Sequence, residues 1–291
     1  MPIPLANPQI QVATRPRRTA IYDAPAPLRL WHLVSLDAPT VAVVWSLGFA
    51  WATGIRLPGW VPVLLALGTW AVYIGDRLFD VHSALRSGST DALRDRHFFH
   101  WRHRGVLARV ACIAAAAAAA IIFALMPVVS RERNSVLAVA ALAYFSGVHL
   151  PRRPHWLAPV FTKELLVGVL FAAGCVLPVL TRLSGAQPGP LLAAAGFFAA
   201  LAWLNCHAID RWESSTAQSI RRAATALIFT GLCLTLVFAV TQPRIATLLA
   251  AATTSAMLLA FLDRQRMRLT PVALRACADL VLLTPILLLL R

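Results

Sequence analysis

Two short acidic stretches stand out in a chain that has only 12 Asp and Glu among its 291 residues. The first, Tyr73-Ile74-Gly75-Asp76-Arg77-Leu78-Phe79-Asp80, ends one apolar run. The second, Trp203-Leu204-Asn205-Cys206-His207-Ala208-Ile209-Asp210-Arg211-Trp212-Glu213, ends another. Asp76 and Asp80 are spaced i, i+4, and Asp210 and Glu213 are spaced i, i+3, so each pair falls on one face of a helix. A carboxylate near hydrocarbon costs ~2.5–3.5 kcal/mol even on the lenient insertion scale, and two together also repel. A divalent cation relieves both costs. Mg²⁺ in particular is held by one or two carboxylates plus substrate phosphates, and arginine forks take phosphate oxygens bidentately. The plainer alternative has the acids capping helix ends and pairing with Arg77 or Arg86, in an interhelical salt-bridge network at the membrane surface.

The elements that must carry these residues follow from composition. The chain is 59% hydrophobic and 13% charged, which describes an all-α polytopic membrane protein and excludes a sizeable soluble domain. The net charge of +15 would suggest nucleic acid in a soluble protein, but here the arginines cluster between apolar runs. A helix needs about 20 apolar residues to cross the hydrocarbon, and runs of that length are too long for barrel strands. Nine spans are expected, over 31–55, 59–80, 105–128, 134–150, 158–181, 190–210, 221–241, 244–262 and 271–290. They form a single bundle, residues 30–291, preceded by a polar basic segment, residues 1–29. The first apolar run exceeds a signal-peptide core and no small-residue cleavage site follows it, so it is read as a retained span.

With the N-terminus in the cytoplasm, the cytoplasmic side holds every Lys and Arg except Arg56, Arg131, Arg133, Arg182, Arg244 and Arg291. That bias is the positive-inside signature and places the chain in a bacterial-type inner membrane. It also puts both acidic stretches on the same face, in one cytoplasmic polar cap.

Other residues have plainer readings beside a functional one. Arg94, Arg96, Arg102 and Arg104 make 86–104 the most basic segment, where one or two arginines could close over a phosphate. His97, His100 and His103 share one broad helical face, read as solvated rather than as a zinc site. Lys163 either reaches a phosphate or marks the end of the fifth span. Asp37, just before Pro39, reads as a helix start. The run Ala114 to Ala120 reads as a close-packing face. Cys112, Cys175, Cys206, Cys233 and Cys277 form no C-x-x-C pair and read as buried free thiols.

At these residues the chain resembles the UbiA family of intramembrane prenyltransferases, over about residues 33–290. Leu36-Asp37-Ala38-Pro39, followed by Trp45, resembles the family's first-helix L-D-x-P pattern. Asp76-Arg77-Leu78-Phe79-Asp80 resembles the second half of its N-D-x-x-D-x-x-x-D signature, and Ile209-Asp210-Arg211 part of its second aspartate motif. Lys163 to Gly174, with Gly168, resembles its fifth helix. Val72 and Tyr73 stand where the family has Asn-Asp, Trp203 where it often has Asp, and Val148 in the lysine slot after Tyr144, with His149, Arg152 and Arg153 following.

The resemblance implies nine membrane helices and Mg²⁺-dependent transfer of an isoprenoid from its diphosphate to an aromatic or lipophilic acceptor. Asp76, Asp80, Asp210 and Glu213 would be the catalytic metal ligands. Arg77, Arg96, Arg153 and Lys163 would bind the diphosphate and offset the charge that develops on it. Tyr73, Phe79, Asn205 and Trp203 would line the cavity, the rings stabilising an allylic cation kept from water. The alternative is a non-catalytic membrane transporter or a binder of prenyl or lipid phosphates on the same scaffold, since buried ionisable residues also mark transport pathways. The helix-end location of the acids and the lack of repeat halves weigh against a transporter, and no D-G-x-x-A-R run of an alcohol phosphotransferase occurs.

Overall fold

The structure is a computed structural model that describes residues 22–87, 95–136, 139, 163–183, 188–213 and 219–290. Among these residues the regular structure is all helical, apart from one isolated bridge between Tyr22 and Leu269. The helices are α1 (Ala26–Leu33), α2 (Asp37–Thr53), α3 (Trp60–Ser87), α4 (Asp95–Arg102), α5 (Arg104–Leu125), α6 (Lys163–Leu180), α7 (Gly189–Glu213), α8 (Arg221–Phe238), α9 (Pro243–Gln265) and α10 (Pro271–Leu280). A 3₁₀ turn, Val281–Leu283, and the short α11 (Ile286–Leu289) follow α10.

Five of these helices, α3, α5, α7, α8 and α9, are long and apolar enough to cross a membrane, or six if α1 and α2 count as one broken span. The protein is therefore an integral membrane protein. Most of the expected fourth span, 134–150, and the first residues of the expected fifth lie outside the described residues.

Two of the expected spans are not continuous. The first, 31–55, bends by 89° between α1 and α2. The bend turns on Ser35, whose φ of 62° is the left-handed conformation that β-substituted residues rarely adopt. The last, 271–290, is divided into a helix of 10 residues, a 3₁₀ turn and a helix of 4 residues. Pro285 stands just ahead of α11, where its missing N–H costs nothing. Asp37 does open α2, as the sequence suggests, and its Oδ1 accepts from the Ala38 N–H at 2.9 Å.

Helix α2 is the hub. It packs against α3, α6, α9, α10 and α11, while α8 lies along α9 and α6 along α7. Trp45 and Phe198 stack at 3.7 Å between centroids in the middle of the apolar core, with Phe49 against both. The Trp45 indole N–H donates to the Leu282 carbonyl at 2.9 Å, satisfying a group freed by the 3₁₀ turn. Small residues set the helix spacing. A Cβ on Gly168 of α6 would lie 2.7 Å from the Ala199 carbonyl oxygen and 2.9 Å from the Trp203 nitrogen of α7, so only glycine fits there. In the alanine run of α5, Ala114 and Ala118 form the buried stripe and the rest of the run is less enclosed.

Candidate functional site

The three helix ends created by the two breaks meet in the interior and bring charged groups with them. His32 comes from the last turn of α1, Asp37 from the first turn of α2 and Asp279 from the end of α10. His32 Nδ1 lies 2.8 Å from Asp37 Oδ2 and 3.5 Å from Asp279 Oδ2. His32 and Asp37 are each only 2% exposed. Burial of charge on this scale requires compensation, and two long helices supply it. From α3, Arg77 places Nη2 3.7 Å from Asp37 Oδ2 and donates through Nη1 to the Ser35 hydroxyl. From α7, Asn205 donates to Asp279 Oδ1 at 2.9 Å. The groups form one chain, Arg77–Asp37–His32–Asp279–Asn205.

Around it, Tyr73 lies beneath the Arg77 guanidinium, 5.8 Å from charge to ring centroid, and within electrostatic range of Asp37, Asp279 and Cys206. The Ser35 hydroxyl that meets Arg77 also meets His100 Nε2 at 3.0 Å, which ties α4 to the bend.

One turn along α10 from Asp279, Arg275 grips Glu213 at the end of α7 through Nε and Nη2. Its Nη1 is buried with no hydrogen-bond partner. Close by, Asp263 at the end of α9 accepts from the Trp212 indole at 2.8 Å and the Ser219 hydroxyl at 2.5 Å, clamping the ends of α7, α8 and α9 together.

The residues expected from the sequence are distributed unevenly around this centre. Arg77, Tyr73 and Asn205 belong to it. Asp80 lies 3.9 Å from His97 Nε2. Asp210 is exposed, and Glu213 is engaged by Arg275. Trp203 stacks on His207 at 5.2 Å between centroids. Phe79 is 60% exposed. The side chains of Arg96 and Lys163 lie outside the described residues, as do Tyr144, Val148, His149, Arg152 and Arg153.

No family model, curated protein or solved structure matches this chain. The site must therefore be read from its own chemistry.

Three expectations change on that reading. Asp37 does more than start a helix, because Pro39 and the bend at Ser35 turn its carboxylate inward onto His32 and Arg77. The histidine face of α4 is not solvated: His97 and His100 are buried and only His103 is exposed, because α4 packs into the angle between α1 and α3. The five cysteines are free, but only Cys175 is fully buried, while Cys112 and Cys233 lie on outward faces of α5 and α8. His32 and Asp279 belong to no motif in the sequence. The available signal was scarcity: with so few acids in the chain, Asp279 inside an apolar run is costly enough to demand a partner.

Proposed function

We propose that the protein is a membrane-embedded, Mg²⁺-dependent prenyltransferase that moves an isoprenoid from its diphosphate to an aromatic or lipophilic acceptor. The observation that supports this reading is the chain Arg77–Asp37–His32–Asp279–Asn205, which joins the helices of the two acidic stretches, α3 and α7, to one buried polar centre. Two half-motifs tied to one centre can serve one substrate.

In this reading the diphosphate enters from the cytoplasmic side. Arg77, with Arg96, Arg153 and Lys163, binds its oxygens, and the apolar tail runs between helices toward lipid. Oxygen donors suit Mg²⁺. Glu213 is already neutralised by Arg275, so Asp76, Asp80 and Asp210 are the carboxylates that would hold the metal, which lowers the charge on the leaving diphosphate. Tyr73 and Trp203 present ring faces to a developing cation, and the surrounding apolar helices exclude water.

A second reading, transport of a charged solute, draws on one specific observation. Two broken helices meet at a buried ionisable cluster, an arrangement also used by membrane transporters.

The deciding experiment is thermal stabilisation of the detergent-purified protein by a non-hydrolysable farnesyl diphosphate analogue, with and without Mg²⁺, in wild type and Asp76→Asn. A ligand that binds only the folded state raises Tm by mass action. A shift that requires both Mg²⁺ and Asp76 is expected. A shift independent of both indicates a lipid-phosphate binder, and no shift favours transport.

A further inference from the structure

The His32–Asp37–Asp279 cluster is incompletely satisfied by its own groups. Two carboxylate oxygens converge on the same ring nitrogen, His32 Nδ1, at 2.8 and 3.5 Å. That nitrogen carries at most one proton and can direct it at one of them. Asp279 Oδ2 stands at the longer distance, and Arg77 leans on Asp37 instead. Independently, Asn205 is 5% exposed and its Oδ1 has no hydrogen-bond partner, while its Nδ2 is on Asp279. Rotating this amide by half a turn brings its unpaired oxygen to the Asp279 carboxylate in place of Nδ2, and at such a site the orientation is set by what it must bind.

We propose that His32, Asp37 and Asp279 form a site for a first-row divalent transition metal, with the Asn205 amide oxygen as a fourth donor. The three side chains offer one ligand atom each, all within 4.8 Å of one another. Donors about 2.0–2.2 Å from a metal stand roughly 3 Å apart when adjacent, which the 2.8 and 3.5 Å separations bracket. One imidazole with carboxylate and amide oxygens suits Mn²⁺, Fe²⁺, Co²⁺ or Zn²⁺ better than the all-oxygen environment of Mg²⁺. A metal here takes the place of the single proton and meets both carboxylates at once. Arg77 then acts as an outer partner that orients Asp37. The site is separate from the Asp76, Asp80 and Asp210 carboxylates and does not depend on the transferase reading.

The test is Co²⁺ binding to chelator-stripped, detergent-purified protein, followed by its visible ligand-field bands and by elemental analysis. Stoichiometric binding is expected, with the bands lost in His32→Gln and Asp279→Asn and unchanged in Asp76→Asn. Asn205→Asp, which keeps the shape and adds a carboxylate, should bind Co²⁺ more tightly, while Asn205→Ala should weaken binding by about 10–100-fold. Melting curves and gel filtration identify any variant that fails to fold, in which case the wild type and the two Asn205 variants decide. Absence of stoichiometric Co²⁺ in folded wild-type protein overturns the proposal and leaves a proton on His32 as the balancing charge. Bands that persist in folded His32→Gln, or affinity indifferent to position 205, overturn it equally.

Discussion

His32 Nδ1 lies 2.8 Å from Asp37 Oδ2, so a buried charge-assisted contact spans the 89° bend between α1 and α2. The same carboxylate faces Arg77, and the bend therefore depends on one acidic group that answers two cationic or polar neighbours. Asp37→Asn keeps the size of the side chain and removes its charge. Breaking one side of a buried pair costs about 3–5 kcal/mol, because the surviving charge stays in the interior. A marked fall in Tm in detergent is expected. Adding Arg77→Met to the same chain should recover part of the loss, and a double variant no more stable than Asp37→Asn alone would count against this account.

Glu213 and Arg275 give a second, separable prediction. Arg275 is 6% exposed and already holds one buried nitrogen without a partner, so Glu213→Gln strands a guanidinium among apolar helices. Stability should fall by about 3–5 kcal/mol. Any Mg²⁺-dependent stabilisation by a diphosphate analogue should survive, because the proposed metal donors are Asp76, Asp80 and Asp210. Losing the Mg²⁺ dependence with Tm unchanged would return Glu213 to the metal site.

Gly168 tests the packing of α6 on α7. A methyl group there meets backbone atoms of Ala199 and Trp203, which cannot move aside as a flexible side chain would. Gly168→Ala should destabilise the protein by about 1–3 kcal/mol, the usual penalty for overpacking, while Gly174→Ala, which has open space at its Cβ, should cost far less. Comparing the melting temperatures of the two variants checks the contact directly.

The segment before α1 carries a pH-dependent clasp. Asp23 accepts from the Thr270 hydroxyl at 2.7 Å, beside the Tyr22–Leu269 bridge. The Thr270 hydrogen bond, the Ala24 N–H and nearby Arg29 together hold its carboxyl below the ordinary value of 3.8. The folded pKa is depressed, so the stabilisation is fully present above the ordinary value of 3.8 and is lost as pH falls from there through the folded pKa. Amide exchange at Tyr22 and Thr270, corrected for intrinsic rates, should accelerate on acidification below pH 3.8 in wild type. In Asp23→Asn it should be fast and flat with pH, and identical profiles for the two proteins would exclude the clasp.

The sequence showed where the long helices end better than where they break. Asp76/Asp80 and Asp210/Glu213 announce themselves because acids at helical spacing in apolar runs are expensive, and α3 and α7 carry them as expected. The bend at Ser35 has no such signal. A serine in the left-handed region is stabilised by Arg77 and His100, residues far along the chain, so no local pattern reports it. The final helix was hidden for a related reason: Val281 to Leu290 is as apolar as a span, and the 3₁₀ turn within it is fixed by Trp45 and by Ser255, whose hydroxyl donates to the Val281 carbonyl at 2.7 Å. Asp37 opens α2 as its place before Pro39 suggests, but its contacts with His32 and Arg77 are tertiary, and helix-start chemistry does not report them.

The bond from the Trp45 indole to the Leu282 carbonyl crosses 237 residues of chain. Chains fold largely from the N-terminus as they are made. Helix α2 therefore enters the membrane with its indole unpaired and with Asp37 lacking the Asp279 side of its centre. Arg77, arriving on the next long helix, can answer Asp37 early, whereas α10 and the 3₁₀ turn, far later in the chain, close the assembly after every other long helix described. A truncation before Pro271 should thus leave a chain that inserts but stays open at its hub, a ready target for quality-control proteolysis.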